Sequence, residues 1–558
     1  MGVASGLTVM AAPASHTNSS YLPVVDLGYE LHRALWYNEE TDIYKFQNVR
    51  YAREPSGDLR FRAPKAPLTN RSTIQVGAET RICPQGRPAW MSRNLGTIAK
   101  YSNPTVPFTL DAWVEDIRNG VAPPGDINAN ATEDCLLLDV HVPKKVLDTA
   151  QTKKEGAPVL VFIHGGGGVF GSKDGSGPTR FEPSGILKQA RDNFGEEFVF
   201  VSINYRLGAF GFLAGSEVLR DGNANAGLRD QRFALRWIQD NIHIFGGSKN
   251  RVTVMGESGG AGSILQHVVA SAHGDTCGRQ EPKLFHQVIV QSPAQYPTTG
   301  DPEDVFEEFL SFLKVGSLNE VRKLDSAAVI AGNSAQIEAS PPTNYKYAPV
   351  VDNEYVTGPM LKKLQEGDFD KSIQILAAHN VFEGAFFFDP TLKTEEDFKH
   401  WAKAWLGGLK DKDYDYLADT VYPPVYDGSV GYVDLNTRQM SVWGEAVVDC
   451  TYRAISEATR HESYAYEFGL SPGFHIQDLG YTFGSKALPA PFPEAQSSLQ
   501  LAIASFLLNG EPVLKDRSPF PLFGDDGLIV NITSAGTLSS VPSAVNQTRC
   551  DWWTSVAR

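Results

Sequence analysis

A serine with small neighbours stands between a predicted strand and a predicted helix, where it could act as a nucleophile. Residues 252–260 read VTVMGESGG, so a β-branched run leads into Gly256, Ser258 and Gly260. A sharp strand-to-helix turn has no room for a side chain two residues on either side of the serine, and glycine meets that requirement. The segment 261–272 that follows is typical of a helix. The pattern predicts a nucleophile elbow that exposes the Ser258 Oγ to an ester carbonyl.

A second serine fits the same short motif in different surroundings. Gly469, Ser471 and Gly473 repeat the G-x-S-x-G spacing after the strand-like run 463–468. No amphipathic helix follows, and a proline between two glycines is typical of a turn. Because a short motif counts only in its expected context, the sequence favours Ser258 as nucleophile and a turn at Ser471.

A glycine-rich loop upstream could stabilise negative charge. The apolar run 158–163 is typical of a central parallel strand, and His164 and four glycines, 165–168, follow it. Such a loop can be merely flexible, but glycine also lets backbone N–H groups approach a ligand closely. The tetrahedral intermediate of acyl transfer needs such donors. The loop and the elbow, in this chain order, together indicate acyl-transfer chemistry.

An acid and a base are expected on loops after later strands. A serine hydroxyl needs a histidine to accept its proton, and a carboxylate to hold the histidine in place. Glu383 follows the predicted strand 372–378, although a solvated loop carboxylate is the alternative interpretation. His475 follows the predicted strand 464–468, at the end of a parallel strand where catalytic groups lie. The order serine, acid, histidine is the one expected for a hydrolase with a doubly wound sheet.

These motifs together resemble the type-B carboxylesterase/lipase family, which includes cholinesterases and fungal lipases, over residues 21–558. The resemblance is carried by the segments 133–140, 225–237, 245–260, 380–384 and 473–478. It implies an α/β-hydrolase fold, with a large and mainly parallel twisted sheet flanked by helices and with lid or cap insertions.

The resemblance also implies roles for individual residues. Ser258 would be the nucleophile, Glu383 the acid and His475 the base. The backbone amides of Gly166, Gly167 and Gly259 would form the oxyanion hole. It further implies disulfides that join Cys83 to Cys135 and Cys450 to Cys550, and a reaction that needs no metal or cofactor.

Three positions depart from the family pattern. Gly259 follows the nucleophile where the family usually has alanine, so we expect a looser elbow that keeps its N–H donor. Gly168 replaces a bulky apolar residue, which would widen the acyl site. Ile476 follows His475 where glycine is usual, which leaves the geometry of that loop open.

The composition favours one large α/β domain. The chain has 558 residues, 42% of them hydrophobic, and its predicted strands are separated by helix-like stretches such as 231–240. We find no linker, charge run or repeat, so we expect a single catalytic domain over 21–558, after a signal-peptide remnant or disordered N-terminus over 1–20. The net charge of −15 opposes binding to nucleic acid, and no apolar run approaches the length of a membrane span.

Several features favour a secreted glycoprotein. Five Asn-x-Ser/Thr sequons are candidate glycosylation sites, at Asn18, Asn70, Asn130, Asn531 and Asn546. Residues 3–14 resemble the end of a signal peptide, although they lack a basic start. The fifth cysteine, Cys277, would be a buried thiol or would pair between chains. A cytosolic chain with five free thiols is the rival interpretation.

The substrate pocket is predicted only in outline. Phe386, Phe387 and Tyr296 are candidate walls, with the core as the alternative location. The segment between Cys83 and Cys135 is either a lid that contacts a lipid interface or a loop whose aromatic residues pack against the body. The sequence leaves the oligomeric state open.

We expect a serine carboxylic-ester hydrolase, a carboxylesterase or a lipase, that acts on a small-molecule or lipid ester. An acyltransferase or lactone-forming enzyme with the same triad is the first alternative. A non-catalytic, cholinesterase-like binding module is disfavoured, because all three triad positions are filled.

Overall fold

A large sheet of eleven strands forms the centre of the described chain. The computed structural model describes residues 22–101, 105–120, 126–153, 155–175, 181–272, 283–296, 300–484, 490–534 and 538–558. Asn18 and Cys277 therefore lie outside the described residues. The strands are β1 Val24–Asp26, β2 Glu30–Arg33, β3 Trp36–Asn38, β4 Ile43–Arg50, β5 Asn70–Gln75, β6 Leu137–Pro143, β7 Ala157–Ile163, β8 Val199–Ile203, β9 Gly247–Glu257, β10 Gln287–Gln291, β11 Gln374–Asn380, β12 Ser463–Phe468, β13 Leu528–Ile532 and β14 Leu538–Pro542.

The order of the strands places the chemistry-bearing loops on one edge. The sheet runs β14-β13-β12-β11-β10-β9-β7-β8-β6-β4-β3, and a separate small sheet holds β1, β2 and β5. Strands β8, β7, β9, β10, β11, β12 and β13 are parallel, and the strands outside them are antiparallel. Every residue of β7 is buried, as expected for a strand covered on both faces. The predicted large, mainly parallel sheet is confirmed.

Helices connect and cover the strands. The α-helices are α1 Ala89–Tyr101, α2 Leu110–Asn119, α3 Lys144–Asp148, α4 Ser184–Phe194, α5 Gly208–Phe212, α6 Ser216–Asp221, α7 Ala226–Asn241, α8 Gly259–Ser271, α9 Pro302–Leu313, α10 Leu318–Lys323, α11 Ser326–Glu338, α12 Met360–Glu366, α13 Glu395–Trp405, α14 Asp411–Tyr416, α15 Leu435–Gly444, α16 Cys450–Ala458, α17 Gln477–Phe483, α18 Pro493–Asn509 and α19 Gln547–Val556. Two π-helical segments, Leu417–Val421 and Glu445–Asp449, follow α14 and α15. Helix α8 packs on β9 and β10, and α18 packs on α4 and β7. No helix in the described ranges has the length and apolarity of a membrane span.

Two disulfides join distant parts of the chain. Cys83 is bonded to Cys135 across 52 positions, and Cys450 to Cys550 across 100 positions. The first bond closes the segment that contains α1 and α2. The second ties α16 to α19, near the C-terminus.

Candidate active site

Ser258 lies at the turn between β9 and α8, in a backbone conformation that a side chain rarely adopts. Its φ is 55° and its ψ is −127°, and such a residue is typically strained by about 1–3 kcal/mol. The turn is fixed by hydrogen bonds: the Ser258 N–H donates to the Gln291 carbonyl at 3.0 Å, and the Ser258 carbonyl accepts from Gly262 and Ala294 at 2.9 and 3.1 Å. The neighbouring strand β10 therefore holds the serine in its strained position.

The glycines of the motif allow this close approach. A Cβ on Gly260 would lie 2.2 Å from the Ile163 carbonyl oxygen, at the end of β7. A Cβ on Gly256 would lie 2.9 Å from the same oxygen. The second serine motif differs, because Ser471 is exposed in a turn after β12, as the sequence favoured.

Three side chains from different strand ends meet at this edge of the sheet. The Nε2 of His475 lies 2.8 Å from the Ser258 Oγ, and its Nδ1 lies 2.5 Å from the Glu383 Oε2. Glu383 follows β11, and His475 lies between β12 and α17. All three residues are buried. The serine, the acid and the histidine, predicted in this order along the chain, are thus joined by one continuous set of hydrogen bonds.

Glu383 is surrounded by donors that favour its ionised form. Its Oε1 accepts from the Ser292 Oγ at 2.7 Å and from the Asn380 backbone N–H at 2.5 Å. Burial raises the pKa of this carboxyl, but the charge of His475 and these hydrogen bonds outweigh it and hold the pKa below its usual value. Glu383 can therefore stabilise a protonated imidazole.

Glu257, the residue before Ser258, approaches the ring nitrogen of His475 that Glu383 does not contact. Its Oε1 lies 3.3 Å from the His475 Nε2 and has no hydrogen-bond donor among the described residues. Burial raises the pKa of Glu257 to about 8. Burial lowers the pKa of His475, but the carboxylates of Glu383 and Glu257 outweigh it and raise that pKa to about 9.

The glycine loop after β7 lies against the elbow. Gly166, Gly167 and Gly168 have φ values of 99°, 60° and 73°, which favour glycine. A Cβ on Gly259 would lie 3.2 Å from the Gly167 nitrogen, so the two backbones are in contact. In the described part of the chain, the N–H groups of Gly166, Gly167 and Gly259 donate to no protein acceptor. They are free to bind an anionic oxygen.

The other two departures from the family pattern are also visible. Ile476 adopts the left-handed conformation, with φ 71° and ψ −6°, so a β-branched residue occupies the backbone region in which glycine is usual. A Cβ on Gly168 would lie 3.3 Å from the Phe212 ring. Phe212 thus occupies the space beside Gly168 that a larger side chain would need.

The three predicted wall residues occupy different places. Phe387 meets the His475 ring at a centroid distance of 5.4 Å. Phe386 packs on Trp113 and Phe474, at 5.5 and 4.9 Å, within the core. Tyr296 is half-buried, and its ring lies 6.1 Å from that of Tyr345.

Two aromatic residues beside the site were missed by the sequence analysis. A Cβ on Gly167 would lie 2.4 Å from the Tyr345 ring, so this ring covers the glycine loop. Trp443 stacks on Phe387 at a centroid distance of 3.4 Å. Tyr345 comes from the loop between α11 and α12, and Trp443 from the end of α15. No motif surrounds either residue, so only the tertiary structure could reveal them.

The segment between Cys83 and Cys135 packs against the acid loop. The Trp113 Nε1 donates to the Ala385 carbonyl at 3.0 Å, and the Asn94 amide donates to the Phe386 carbonyl. Trp90, Met91 and Trp113 are buried. These contacts agree with the second alternative, in which the aromatic residues of this segment pack against the body of the protein. Among the described residues, no group of three or more His, Cys, Asp or Glu side chains could hold a metal ion.

The chain is similar to known proteins. The model of the carboxylesterase family matches residues 33–553. The chain belongs to the carboxylesterase family. This carboxylesterase is 33% identical to carboxylesterase patB of Aspergillus clavatus, over 98% of this chain and 97% of the relative. It is 28% identical to a secreted lipase of Arthroderma benhamiae, over 76% of this chain and 82% of that lipase.

A solved structure shows the same fold. The crystal structure of Aspergillus niger EstA matches with a TM-score of 0.74 at 24% identity, over 97% of this chain and 99% of EstA. The predicted α/β-hydrolase fold and the predicted family are therefore confirmed, and the carboxylesterase is a carboxylic ester hydrolase.

Proposed function

We propose that this carboxylesterase cleaves its ester through an acyl-enzyme on Ser258. The observation that carries the proposal is the continuous set of hydrogen bonds from the Ser258 Oγ through His475 to Glu383. His475 removes the proton of Ser258 while the Oγ attacks the ester carbonyl. The N–H groups of Gly166, Gly167 and Gly259 bind the oxygen that becomes negative.

The second half of the reaction uses the same groups. Collapse of the tetrahedral intermediate breaks the bond to the alkoxy oxygen, and His475 gives its proton to the leaving alcohol. Water then attacks the acyl-enzyme with His475 again as base, which releases the acid and restores Ser258. Glu383 stabilises the imidazolium in both halves.

Replacement of the nucleophile tests this proposal. We expect Ser258→Ala to reduce kcat for a p-nitrophenyl ester by about 10⁶-fold, as removal of a triad serine does in comparable enzymes, with an unchanged thermal midpoint. Ser471→Ala is the matched control, because it alters the other serine motif, and it should keep full activity. Turnover of Ser258→Ala at the wild-type rate would refute the assignment.

The final acceptor of the acyl group is part of the proposal. We take it to be water. The carboxylic acid should then be the only product that carries the acyl group, even when a competing alcohol is present at moderate concentration. If a new ester or a lactone is the main product, the acyltransferase alternative replaces hydrolysis while the role of Ser258 stands.

We further propose that the protein is secreted and glycosylated. Two disulfides, and a relative named as a secreted lipase, support secretion. Asn70, Asn130 and Asn546 are exposed, as acceptor sites must be. Asn531 differs, because its side-chain N–H donates to the Glu467 Oε1 at 2.6 Å. We therefore favour the first three sites over Asn531.

A further inference from the structure

The buried indole N–H of Trp443 lacks an acceptor in the part of the chain that the structure describes. Only 1% of the residue is exposed, and its Nε1 has no hydrogen-bond partner within the described residues. Five other buried tryptophans do have one: Trp90, Trp113, Trp237, Trp401 and Trp553 donate to Asn344, Ala385, Tyr29, Thr343 and Tyr422. An unpaired buried donor is costly, so an acceptor oxygen supplied by a bound molecule would stabilise this site.

The indole lies beside the reacting groups. Its ring centroid is 6.1 Å from that of His475, and the two rings are nearly perpendicular at 78°. Phe387, on which Trp443 stacks, also meets His475 edge-on, at 74°. Trp443 and Phe387 therefore form a double aromatic layer next to the imidazole.

The backbone around Trp443 contacts two other parts of the site, the acid loop and the segment that bonds to Ser258. The adjoining Gly444 lies close to the acid loop, because its Cβ would be 3.0 Å from the Gly384 nitrogen. The π-helical segment Glu445–Asp449 follows at once, and the Val447 carbonyl accepts from the Gln295 N–H at 2.9 Å. Gln295 is next to Ala294, which bonds to Ser258. Such π-helical segments often occur at functional sites.

Both oxygens of the ester already have donors in the proposed reaction. The carbonyl oxygen faces the glycine amides, and the alkoxy oxygen receives its proton from His475. A third donor fits an acceptor elsewhere in the substrate. We propose that Trp443 donates its indole N–H to an ether or carbonyl oxygen outside the scissile ester group, and thereby selects oxygen-substituted esters over hydrocarbon ones. This inference rests on the proposed function of Ser258.

Pairs of esters of equal size test the inference. On the acyl side, p-nitrophenyl methoxyacetate replaces one CH₂ of p-nitrophenyl butanoate by oxygen. On the alcohol side, 2-methoxyethyl butanoate does the same for butyl butanoate. We expect Trp443→Phe to lower kcat/KM for the oxygen-containing member of at least one pair roughly 3- to 10-fold more than for its partner. The affected pair identifies the side of the substrate that Trp443 contacts.

Trp90→Phe is the matched control. Trp90 lies in the same aromatic cluster, 6.2 Å from Phe387, but its N–H is bonded to the Asn344 carbonyl at 3.1 Å. It should therefore leave both ratios unchanged. If Trp443→Phe changes kcat/KM equally within both pairs, the indole is only a packing residue and the inference is wrong.

A measurement on the unaltered enzyme covers the case in which Trp443→Phe does not fold. In each pair, the wild-type kcat/KM for the oxygen-containing ester is divided by that for its hydrocarbon partner. In at least one pair this ratio should exceed the corresponding ratio of the rates of hydroxide-catalysed hydrolysis. Equality in both pairs would overturn the inference. If Ser258→Ala also retains activity, the proposed function itself fails, which is a separate result.

Discussion

The imidazole of His475 lies between two carboxyl groups that approach different ring nitrogens. Glu383 contacts Nδ1 at 2.5 Å and receives hydrogen bonds from Ser292 and Asn380. Glu257 lies 3.3 Å from Nε2, and in the described structure its Oε1 has no donor. The surroundings thus lower one carboxyl pKa and raise the other, which assigns them different roles.

Removal of the Glu257 carboxylate should move the pH profile. His475 must be neutral to accept the Ser258 proton, so kcat/KM falls as the pH drops through the pKa of His475, which is raised to about 9. Because a nearby carboxylate favours the imidazolium, Glu257→Gln lowers this pKa. We expect the acid limb of the kcat/KM profile to shift to lower pH by about one unit or more.

Glu445→Gln provides the control for this profile. Glu445 also has a raised pKa, but this half-buried carboxyl is bonded to Arg549 and Tyr422 and not to the imidazole. Its replacement should leave the acid limb in place. An acid limb that Glu257→Gln does not move would show that Glu257 has no electrostatic effect on the base.

At the level of single residues, the sequence indicated those candidate groups that follow predicted strands in a fixed order along the chain. Glu383 and His475 could be identified as candidates from the sequence, because a parallel sheet brings its strand ends to one edge. Trp443 and Tyr345 were not, since each comes from a helix end or a long loop whose position depends on distant packing. The unpaired indole N–H could not be foreseen either, because it is a property of the assembled site.

The elbow is the element on which the site depends most directly. Ser258 keeps its strained φ of 55° because α8 packs close under β7 and because β10 bonds to its backbone. Sequence predicted this element well, since the motif and the following apolar helix are both local. The observed helix, Gly259–Ser271, begins two residues before the predicted one. The π-helical segment Glu445–Asp449 gave no such local signal.

Adjacent glycines in the elbow should respond differently to alanine. A Cβ on Gly260 would lie 2.2 Å from the Ile163 carbonyl oxygen and 2.7 Å from that of His164, so Gly260→Ala must push α8 away from β7. We expect it to lower the free energy of unfolding by roughly 3 kcal/mol or more and to abolish esterase activity. Chemical denaturation and a p-nitrophenyl ester assay measure both effects.

Gly259→Ala is the matched substitution one position earlier. Its Cβ would lie 3.2 Å from the Gly167 nitrogen, a tight contact that a small shift of the glycine loop relieves. Because the substitution keeps the N–H donor, the variant should fold and hydrolyse the ester. If both variants behaved alike, the contact with β7 would not be what requires glycine at 260.

At the scale of the whole molecule, the parallel sheet brings distant segments together. The groups that meet at the site are separated by 125 and 92 positions along the chain, from Ser258 to Glu383 and from there to His475. Alternating strands and helix-like stretches predicted this type of sheet, and the order of its central strands followed from no sequence pattern. The single-domain prediction for 21–558 stays a prediction.

The disulfide between α16 and α19 stabilises the C-terminal part of this assembly. Cys450 and Cys550 are buried and close a loop of 100 positions. By loss of chain entropy in the unfolded state, such a bond contributes about 4.7 kcal/mol. The double variant Cys450→Ser and Cys550→Ser should therefore lower the free energy of unfolding by roughly that amount, measured by urea denaturation with tryptophan fluorescence.

The other disulfide, between Cys83 and Cys135, closes 52 positions, so its double variant should lose slightly less stability, about 4 kcal/mol. Reduction of the wild type by dithiothreitol should reproduce the combined effect, because it breaks both bonds. If neither double variant nor reduction changes the denaturation midpoint, the bonds contribute nothing to stability and no longer argue for secretion.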